Sequence, residues 1–114
     1  MHLLRKIAIA RDGECCLRCG KTTSLHLSHI YPKGRYKSME YDPDNIKLLC
    51  NACHLFWWHK NPIEAGEWLK SVIPSGRLSR LKTMSEDNTK RPFDPKLHII
   101  FLEQELKRYS KPRF

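Results

Sequence analysis

Two pairs of cysteines, each with two residues between its members, constrain this chain more than any other feature. The first pair is Cys16 and Cys19, and the second is Cys50 and Cys53. Four thiolates at this spacing match the tetrahedral coordination of zinc, and thiolate sulfur favours zinc over magnesium or calcium. Because four protein ligands leave no open position on the ion, the pattern predicts a structural Zn²⁺ that joins two distant parts of the chain.

A fifth cysteine leaves the first pair open to a second interpretation. Cys15 lies four residues before Cys19, a spacing that zinc also tolerates. We prefer Cys16, because a C-x-x-C sequence followed by Gly20 forms a tight knuckle that mirrors the second pair. Cys15 is then predicted to be a core thiol. Chance clustering of thiols and a redox pair are the alternatives to metal binding.

The chain is short and basic. Its 114 residues allow one domain with a modest core, so zinc binding, on the order of ten kcal/mol, would supply stability that the core lacks. Lys and Arg number 21 against 12 Asp and Glu, which gives a formal net charge of +9. This excess is typical of proteins that bind polyanions. It favours nucleic acid as the partner over an anionic membrane, and the alternative is a merely soluble basic surface.

The N-terminal segment predicts an intracellular protein. Arg5 and Lys6 interrupt its short apolar run, which therefore lacks the core of a signal peptide and the length of a membrane span. A reducing compartment is expected, where thiols bind metal more often than they form disulfides. We accordingly predict a cytoplasmic location.

Apolar spacing and turn residues predict an α+β order of elements in the first half of the chain. Residues 2–11 predict a helix, and residues 24–31 and 46–50 predict two strands of a hairpin with an exposed loop between them. A helix can begin after Cys53.

The second half predicts two further helices. One begins at Pro62 with Asn61 as its cap and ends before Pro74, and residues 74–94 are predicted to be a linker or an extended wrap. Asp94 and Pro95 begin the last helix. Its apolar side chains are expected to dock on the domain or on a second subunit: Leu97, Ile100, Phe101 and either Ile99 or Leu102.

Four stretches of sequence, CLRCG, LHLSHI, PDNIKLLC and a final CH, occur in that order within about residues 12–60. Their combination resembles the HNH nuclease family, also called ββα-metal or His-Me finger nucleases. The resemblance implies a small α+β, zinc-stabilised ββα-metal fold with flanking helices. It also implies a metal-dependent DNA endonuclease, of a compact kind found in bacteria and their phages. We expect the nuclease domain at residues 1–73 and an accessory DNA-binding or dimerisation segment at residues 74–114.

The resemblance implies roles for three residues. His29 stands at the general base, which takes a proton from the water that attacks the phosphodiester. Asn45 stands at an asparagine that orients the base and transfers no proton. His54 stands at a ligand of the catalytic ion, which would be Mg²⁺, Mn²⁺ or another divalent ion. The alternatives are turn or strand-start positions for His29 and Asn45, and a donor beside the zinc or a substitute zinc ligand for His54.

Two positions depart from the family's pattern. Ser28 stands where the family has an Asp or His ligand of the catalytic ion, and His26 lies on the same face of the strand. A second helical histidine is expected four residues after His54, but Trp58 occupies that position and His59 comes one later. Five residues turn an α-helix by roughly 140° from the start, so only an irregular helix would make His59 a ligand. A DNA contact or a structural role is favoured for His59.

Basic and aromatic residues alternate in the loop between the predicted base and the orienting asparagine. Four of them are predicted to contact DNA phosphates beside the scissile bond: Lys33, Arg35, Tyr36 and Lys37. The later aromatic residues are predicted to pack around the zinc rather than to stack on bases: Phe56, Trp57, Trp58 and Trp68.

Two other functions fit parts of the pattern. A zinc-finger module that binds nucleic acid without cutting it would result if Ser28 weakens the catalytic ion site. A thiol–disulfide redox protein would use the cysteine pairs, but it leaves His29, Asn45 and the basic charge without a role. For the endonuclease, one active site cuts one strand, so a monomer is expected to nick DNA and a homodimer to cut both strands.

Overall fold

The computed structural model describes residues 2–87 and 93–110. The architecture is small α+β, with a two-stranded antiparallel sheet, a following helix and further helices around them, as the sequence predicted. No helix within the described residues combines the length and the apolar character that crossing a bilayer requires. The elements in chain order are α1 His2–Asp12, β1 Leu25–His29, β2 Ile46–Cys50, a π-helix Cys53–Trp58, α2 Pro62–Val72, α3 Ser75–Glu86 and α4 Pro95–Ser110.

In the register of the two strands, one end of the sheet lies at Cys50 and the other end lies at His29. Leu25 pairs with Cys50 at one end, and His29 pairs with Ile46 at the other. Every residue of β2 is buried, because α1 packs against this strand. The main core lies there and is formed largely by aliphatic side chains, among them Leu4, Ile7, Leu48, Leu49 and Leu102.

The prediction of a linker over residues 74–94 is wrong for most of that range, which forms α3. Leu81 is fully buried, and Arg77 donates to the carbonyl oxygens of Asp44 and Ile46 at 2.8 and 2.9 Å. Leu81 is the single fully buried residue of this helix, so the apolar pattern of the sequence was weak there. Residues 88–92, which the prediction also covered, lie outside the described residues, as do residues 111–114 of the accessory segment.

Helix α4 docks through fewer residues than the sequence predicted. Leu102 is buried, and Leu106 and Tyr109 pack beside it on the core. The other predicted docking residues are between 42% and 64% exposed: Leu97, Ile99, Ile100 and Phe101. They point away from the core because a single stripe of the helix faces α1.

The predicted caps differ in outcome. The Asp94 side chain accepts hydrogen bonds from the backbone N–H groups of Lys96 and Leu97 at 3.0 and 3.4 Å, which confirms its capping role. The Asn61 side chain does not cap α2, although Pro62 begins that helix as predicted. Asn61 instead donates to the carbonyl oxygen of Trp57 at 3.2 Å and so satisfies an end of the π-helix.

Candidate functional site

The four predicted cysteines converge on one point. The Sγ atoms of Cys16, Cys19, Cys50 and Cys53 all lie within 4.8 Å of one another. Gly20 has a φ of +83°, a left-handed conformation that glycine adopts freely, and its N–H donates to the Cys16 carbonyl at 2.9 Å. The cluster is therefore positioned to bind a metal ion, and four sulfur donors suit zinc.

Cys15 is not part of this cluster, which agrees with the preference for Cys16. It is half-buried rather than a full core residue. Trp57 lies beside the cluster as predicted, because the Arg18 guanidinium stacks 3.9 Å from its ring centroid and donates to the Cys53 Sγ at 3.4 Å. Phe56 is 62% exposed, so the prediction that it belongs to the core is wrong.

The thiols of the cluster differ in acidity. Burial raises the pKa of Cys16, but backbone N–H groups of Cys19, Cys50 and Arg18 outweigh burial and lower this pKa to about 6. Burial raises the pKa of Cys53 to about 12. A cation that binds all four sulfurs must displace the proton of Cys53, so its affinity is expected to rise with pH.

His29 ends β1 at the opposite end of the sheet and is half-buried. Its Nε2 lies 2.9 Å from the backbone oxygen of Glu40. Because a carbonyl oxygen can only accept, Nε2 carries the hydrogen, and Nδ1 of the neutral ring keeps its lone pair. The contact therefore fixes the tautomer that can accept a proton at Nδ1.

Asn45 is fully buried and joins the two ends of the loop that follows His29. Its Nδ2 donates to the carbonyl oxygens of Tyr31 and Met39, both at 3.1 Å, and its Oδ1 accepts from the Tyr31 N–H at 2.8 Å. Tyr31 comes two residues after His29, and Met39 directly precedes Glu40, whose carbonyl holds the His29 ring. Asn45 thus holds the two backbone segments that position His29, one at Tyr31 and one at Met39 next to Glu40, without contacting the His29 ring.

The loop between His29 and Asn45 is less open than predicted. Met39 and Pro43 are buried within it, in two short 3₁₀ turns. The predicted DNA contacts remain accessible: Lys33, Arg35 and Lys37 are exposed, and Tyr36 is half-buried against the ring of Tyr31, 5.2 Å away.

A cluster of three histidines lies where the π-helix meets β1. The Nδ1 of His54 is 3.0 Å from the Nδ1 of His26, and its Nε2 is 3.1 Å from the Nε2 of His59. A π-helix repeats its hydrogen bonds from residue i to i+5, so residues five apart lie above one another. The helix is therefore irregular, which is the condition under which His59 could bind the same ion as His54.

His54 remains neutral in this cluster. Burial, followed by the positive charges of His59 and His26, lowers its pKa to about 4. Lys47 and His29 contribute in the same direction. A neutral imidazole has the lone pair that a metal ion requires.

Ser28 does not face solvent or an open site. It is fully buried, and its Oγ accepts a hydrogen bond from the Nζ of Lys47 at 2.9 Å. Lys47 is also fully buried, and its Nζ lies 3.3 Å from the centroid of the Trp58 ring. Because its oxygen is buried and already accepts this hydrogen bond, Ser28 is a poor ligand for a cation.

The buried Lys47 leads to a prediction about stability. Burial, together with repulsion from Arg77, lowers its pKa from 10.5 to about 6. Between these values the unfolded chain binds more protons than the folded one, so stability rises with pH in this window. We expect the double variant Lys47→Met/Ser28→Ala to be more stable than the wild type near neutral pH, by roughly 1–4 kcal/mol.

Urea denaturation at several pH values between 6 and 10 would measure this effect. The advantage of the variant should shrink as the pH approaches the ordinary pKa of lysine, because the wild type then loses no proton on folding. Lys82→Met, at an exposed lysine, is the matched control. Equal pH slopes for the wild type and the double variant would contradict the prediction.

The comparison with protein families agrees with this geometry. Residues 16–55 match the family model described as HNH endonuclease. The matched segment contains both cysteine pairs as well as His29, Asn45 and His54. No curated protein and no solved structure gave a significant match to the chain. Residues 16–55 therefore match the HNH endonuclease family model, and this segment carries a cluster of four cysteines that is positioned to bind a metal ion.

Proposed function

We propose that this protein is a metal-dependent DNA endonuclease that hydrolyses phosphodiester bonds, and that its four cysteines bind a structural Zn²⁺. The observation that carries the proposal is the contact between His29 and Glu40. It leaves Nδ1 of His29 as a proton acceptor, and the hydrogen bonds of Asn45 hold both parts of the chain that position this ring. A base with one fixed tautomer is what the activation of water requires.

In the proposed reaction, a water molecule gives a proton to Nδ1 of His29 while its oxygen attacks the phosphorus atom. The bond from phosphorus to the leaving 3′ oxygen breaks, and this oxygen takes a proton from solvent. His29 then returns its proton to water. General-base catalysis of this kind contributes about 10²- to 10⁴-fold in rate.

The histidine cluster supplies suitable ligands for the catalytic divalent ion. His54 is neutral, and its Nδ1 faces His26 while its Nε2 faces His59, so one ion can bind His54 with only one of these neighbours. We propose His54 and His26 as the ligands and leave Ser28 out. His26 then takes the role that the family gives to the residue at position 28. When bound, such an ion stabilises the negative charge that develops on the phosphate oxygens.

The exposed cations of the loop after His29 suit the DNA backbone. Lys33, Arg35 and Lys37 lie between the proposed base and its orienting residue, where they can bind phosphates on either side of the scissile bond. These contacts carry no sequence information by themselves. With one proposed active site in each chain, we expect a monomer to nick and a homodimer to cut both strands.

A module that binds nucleic acid without cutting it is the second candidate. The observation that favours it is the hydrogen bond from Lys47 to the buried oxygen of Ser28, because it occupies the residue that stands where the family has a ligand of the cation. In that case the cysteine cluster and the basic loop would be functional and His29 would not.

A plasmid assay separates the two candidates. We expect zinc-loaded protein to convert supercoiled DNA to nicked circles when Mg²⁺ or Mn²⁺ is added. His26→Ala should raise the ion concentration that gives half the maximal rate, by about 10-fold or more. His98→Ala is the control, since His98 contacts the backbone oxygen of Tyr41 outside this cluster. Retained DNA binding without cleavage under any divalent ion would favour the binding module.

A further inference from the structure

A cleft of about 720 Å³ opens beside the histidine cluster, between the residues that follow β1 and helices α2 and α3. This volume lies in the range of about 300–1,000 Å³ that is usual for ligand sites. The walls of the cleft are mainly apolar and aromatic, with Tyr31, Trp58, Leu69 and Leu78 among the lining residues. Neither the base nor the proposed ion ligands account for a cavity of this character.

We propose that this cleft binds one unpaired nucleobase of the DNA strand, next to the phosphodiester that is cut. The proposal rests on the proposed function and adds a substrate class to it. A DNA site with a bulged, flipped or single-stranded nucleotide would be preferred over a continuous duplex.

The cleft is continuous with the proposed active site. His59 lines the cleft, and its Nε2 lies 3.1 Å from the Nε2 of His54. Ile30, which directly follows His29, also lines the cleft, as do Tyr31 and Pro32. Because Asn45 binds both the N–H and the carbonyl of Tyr31, the same side chain supports this part of the cleft and the proposed base. A strand with its phosphate at His29 therefore has a neighbouring nucleotide within reach of the cleft.

The lining of the cleft matches the chemistry of a nucleobase. Trp58 and Tyr31 offer aromatic rings for stacking, which tolerates any base. The hydroxyl groups of Ser75 and Ser79 can pair with the polar edge of a base.

Charge at the cleft favours nucleic acid over an apolar peptide. Lys70 and Lys82 are exposed among the lining residues, and the described residues that line the cleft include no Asp or Glu. Lys70 contacts Glu67 at 3.1 Å in an exposed pair, and such pairs are weak enough to yield to a phosphate. The formal net charge of +9 acts in the same direction.

Gly66 offers a way to fill the cleft without harming the fold. It lies within α2 and lines the cleft, and a Cβ atom built at this position meets nothing within 4 Å. A leucine there projects into the cleft, and it replaces a poor helix former with a good one. Ser71→Leu places the same side chain at an exposed position of the same helix, outside the cleft, and is the matched control.

The experiment measures the affinity of each protein for two short duplexes, one fully paired and one with a single bulged 2-aminopurine, without divalent ions so that no cutting occurs. We expect the wild type and Ser71→Leu to prefer the bulged duplex by roughly 5- to 150-fold, the effect of stacking one base, and to change the 2-aminopurine fluorescence. Gly66→Leu should bring this ratio close to one while its melting temperature stays at or above that of the wild type.

Equal affinity of the wild type for both duplexes would overturn the proposal, and so would an unchanged preference in a folded Gly66→Leu variant. A wild-type dimer that Gly66→Leu converts to a monomer would overturn it too, because a second copy would then occupy the cleft. The proposed function fails separately: a preference for the bulged duplex without any cleavage when Mg²⁺ or Mn²⁺ is added would support the base site and exclude the endonuclease.

Discussion

His29→Ala is expected to lower the rate of DNA cleavage by about 10²- to 10⁴-fold, the usual contribution of a general base. The variant should still bind DNA and keep its zinc, because His29 lies at the opposite end of the sheet from the four cysteines. A small loss of stability, about 1 kcal/mol, is expected from the lost hydrogen bond to the Glu40 carbonyl. Single-turnover nicking of a supercoiled plasmid measures the rate, and zinc analysis and thermal melting measure the rest.

A second substitution separates proton transfer from position. His29→Gln keeps an N–H donor of similar reach for the Glu40 carbonyl but has no basic nitrogen, so it should be as inactive as His29→Ala and more stable. His98→Ala, which also removes a histidine bound to a backbone carbonyl, should cut at the wild-type rate. Cleavage by His29→Gln at the wild-type rate, or loss of zinc from either His29 variant, would show that the role of His29 is misassigned.

Cys50→Ser is expected to abolish the folded state. Cys50 supplies a buried sulfur of the cluster from the end of β2, next to the core, and a serine hydroxyl is a poor ligand for zinc. Structural zinc contributes on the order of 10 kcal/mol to folding, which is comparable to the whole stability of a small domain, about 5–15 kcal/mol. Zinc content, near-ultraviolet circular dichroism and cooperativity of melting would all report the loss.

The chain carries its own control for this experiment. Cys15→Ser also removes a thiol, one residue before the cluster, but Cys15 is half-buried and outside the group of four. It should keep one zinc per chain, and its free energy of unfolding should lie within about 1 kcal/mol of the wild-type value. A folded, zinc-loaded Cys50→Ser protein, or a zinc-free Cys15→Ser protein, would mean that the ligands are assigned incorrectly.

The fold and the cysteine cluster could be predicted from sequence because their signals are local. The spacing of Cys16 and Cys19 defines a knuckle within a few residues, and the short strand that ends at Cys50 has a clear apolar pattern. Helix α3 could not be predicted in this way, because its position depends on distant contacts. Arg77 is held by the carbonyl oxygens of Asp44 and Ile46, more than thirty residues away, and such pairing leaves no periodic pattern.

The order of the sequence motifs identifies the residues of the candidate site, but it does not reveal the contacts between them. The pairing of His26 with His54 depends on how the π-helix meets β1. The contact of Lys47 with Ser28 depends on the strand register, which places the two residues opposite each other. A one-residue change of register would separate that pair, so only the three-dimensional structure reveals why Ser28 is a poor cation ligand.

The π-helix affects how related sequences should be aligned. A search that requires a histidine four positions after His54 finds Trp58 there and scores the chain as lacking the second histidine. The ring nitrogens of His54 and His59 are nevertheless 3.1 Å apart. The wider winding of Cys53–Trp58 absorbs one additional residue and returns the next side chain to the same face. Insertions of one residue in this helix can therefore preserve a pair of imidazoles, and a search profile that permits either spacing would recover chains that a rigid motif discards.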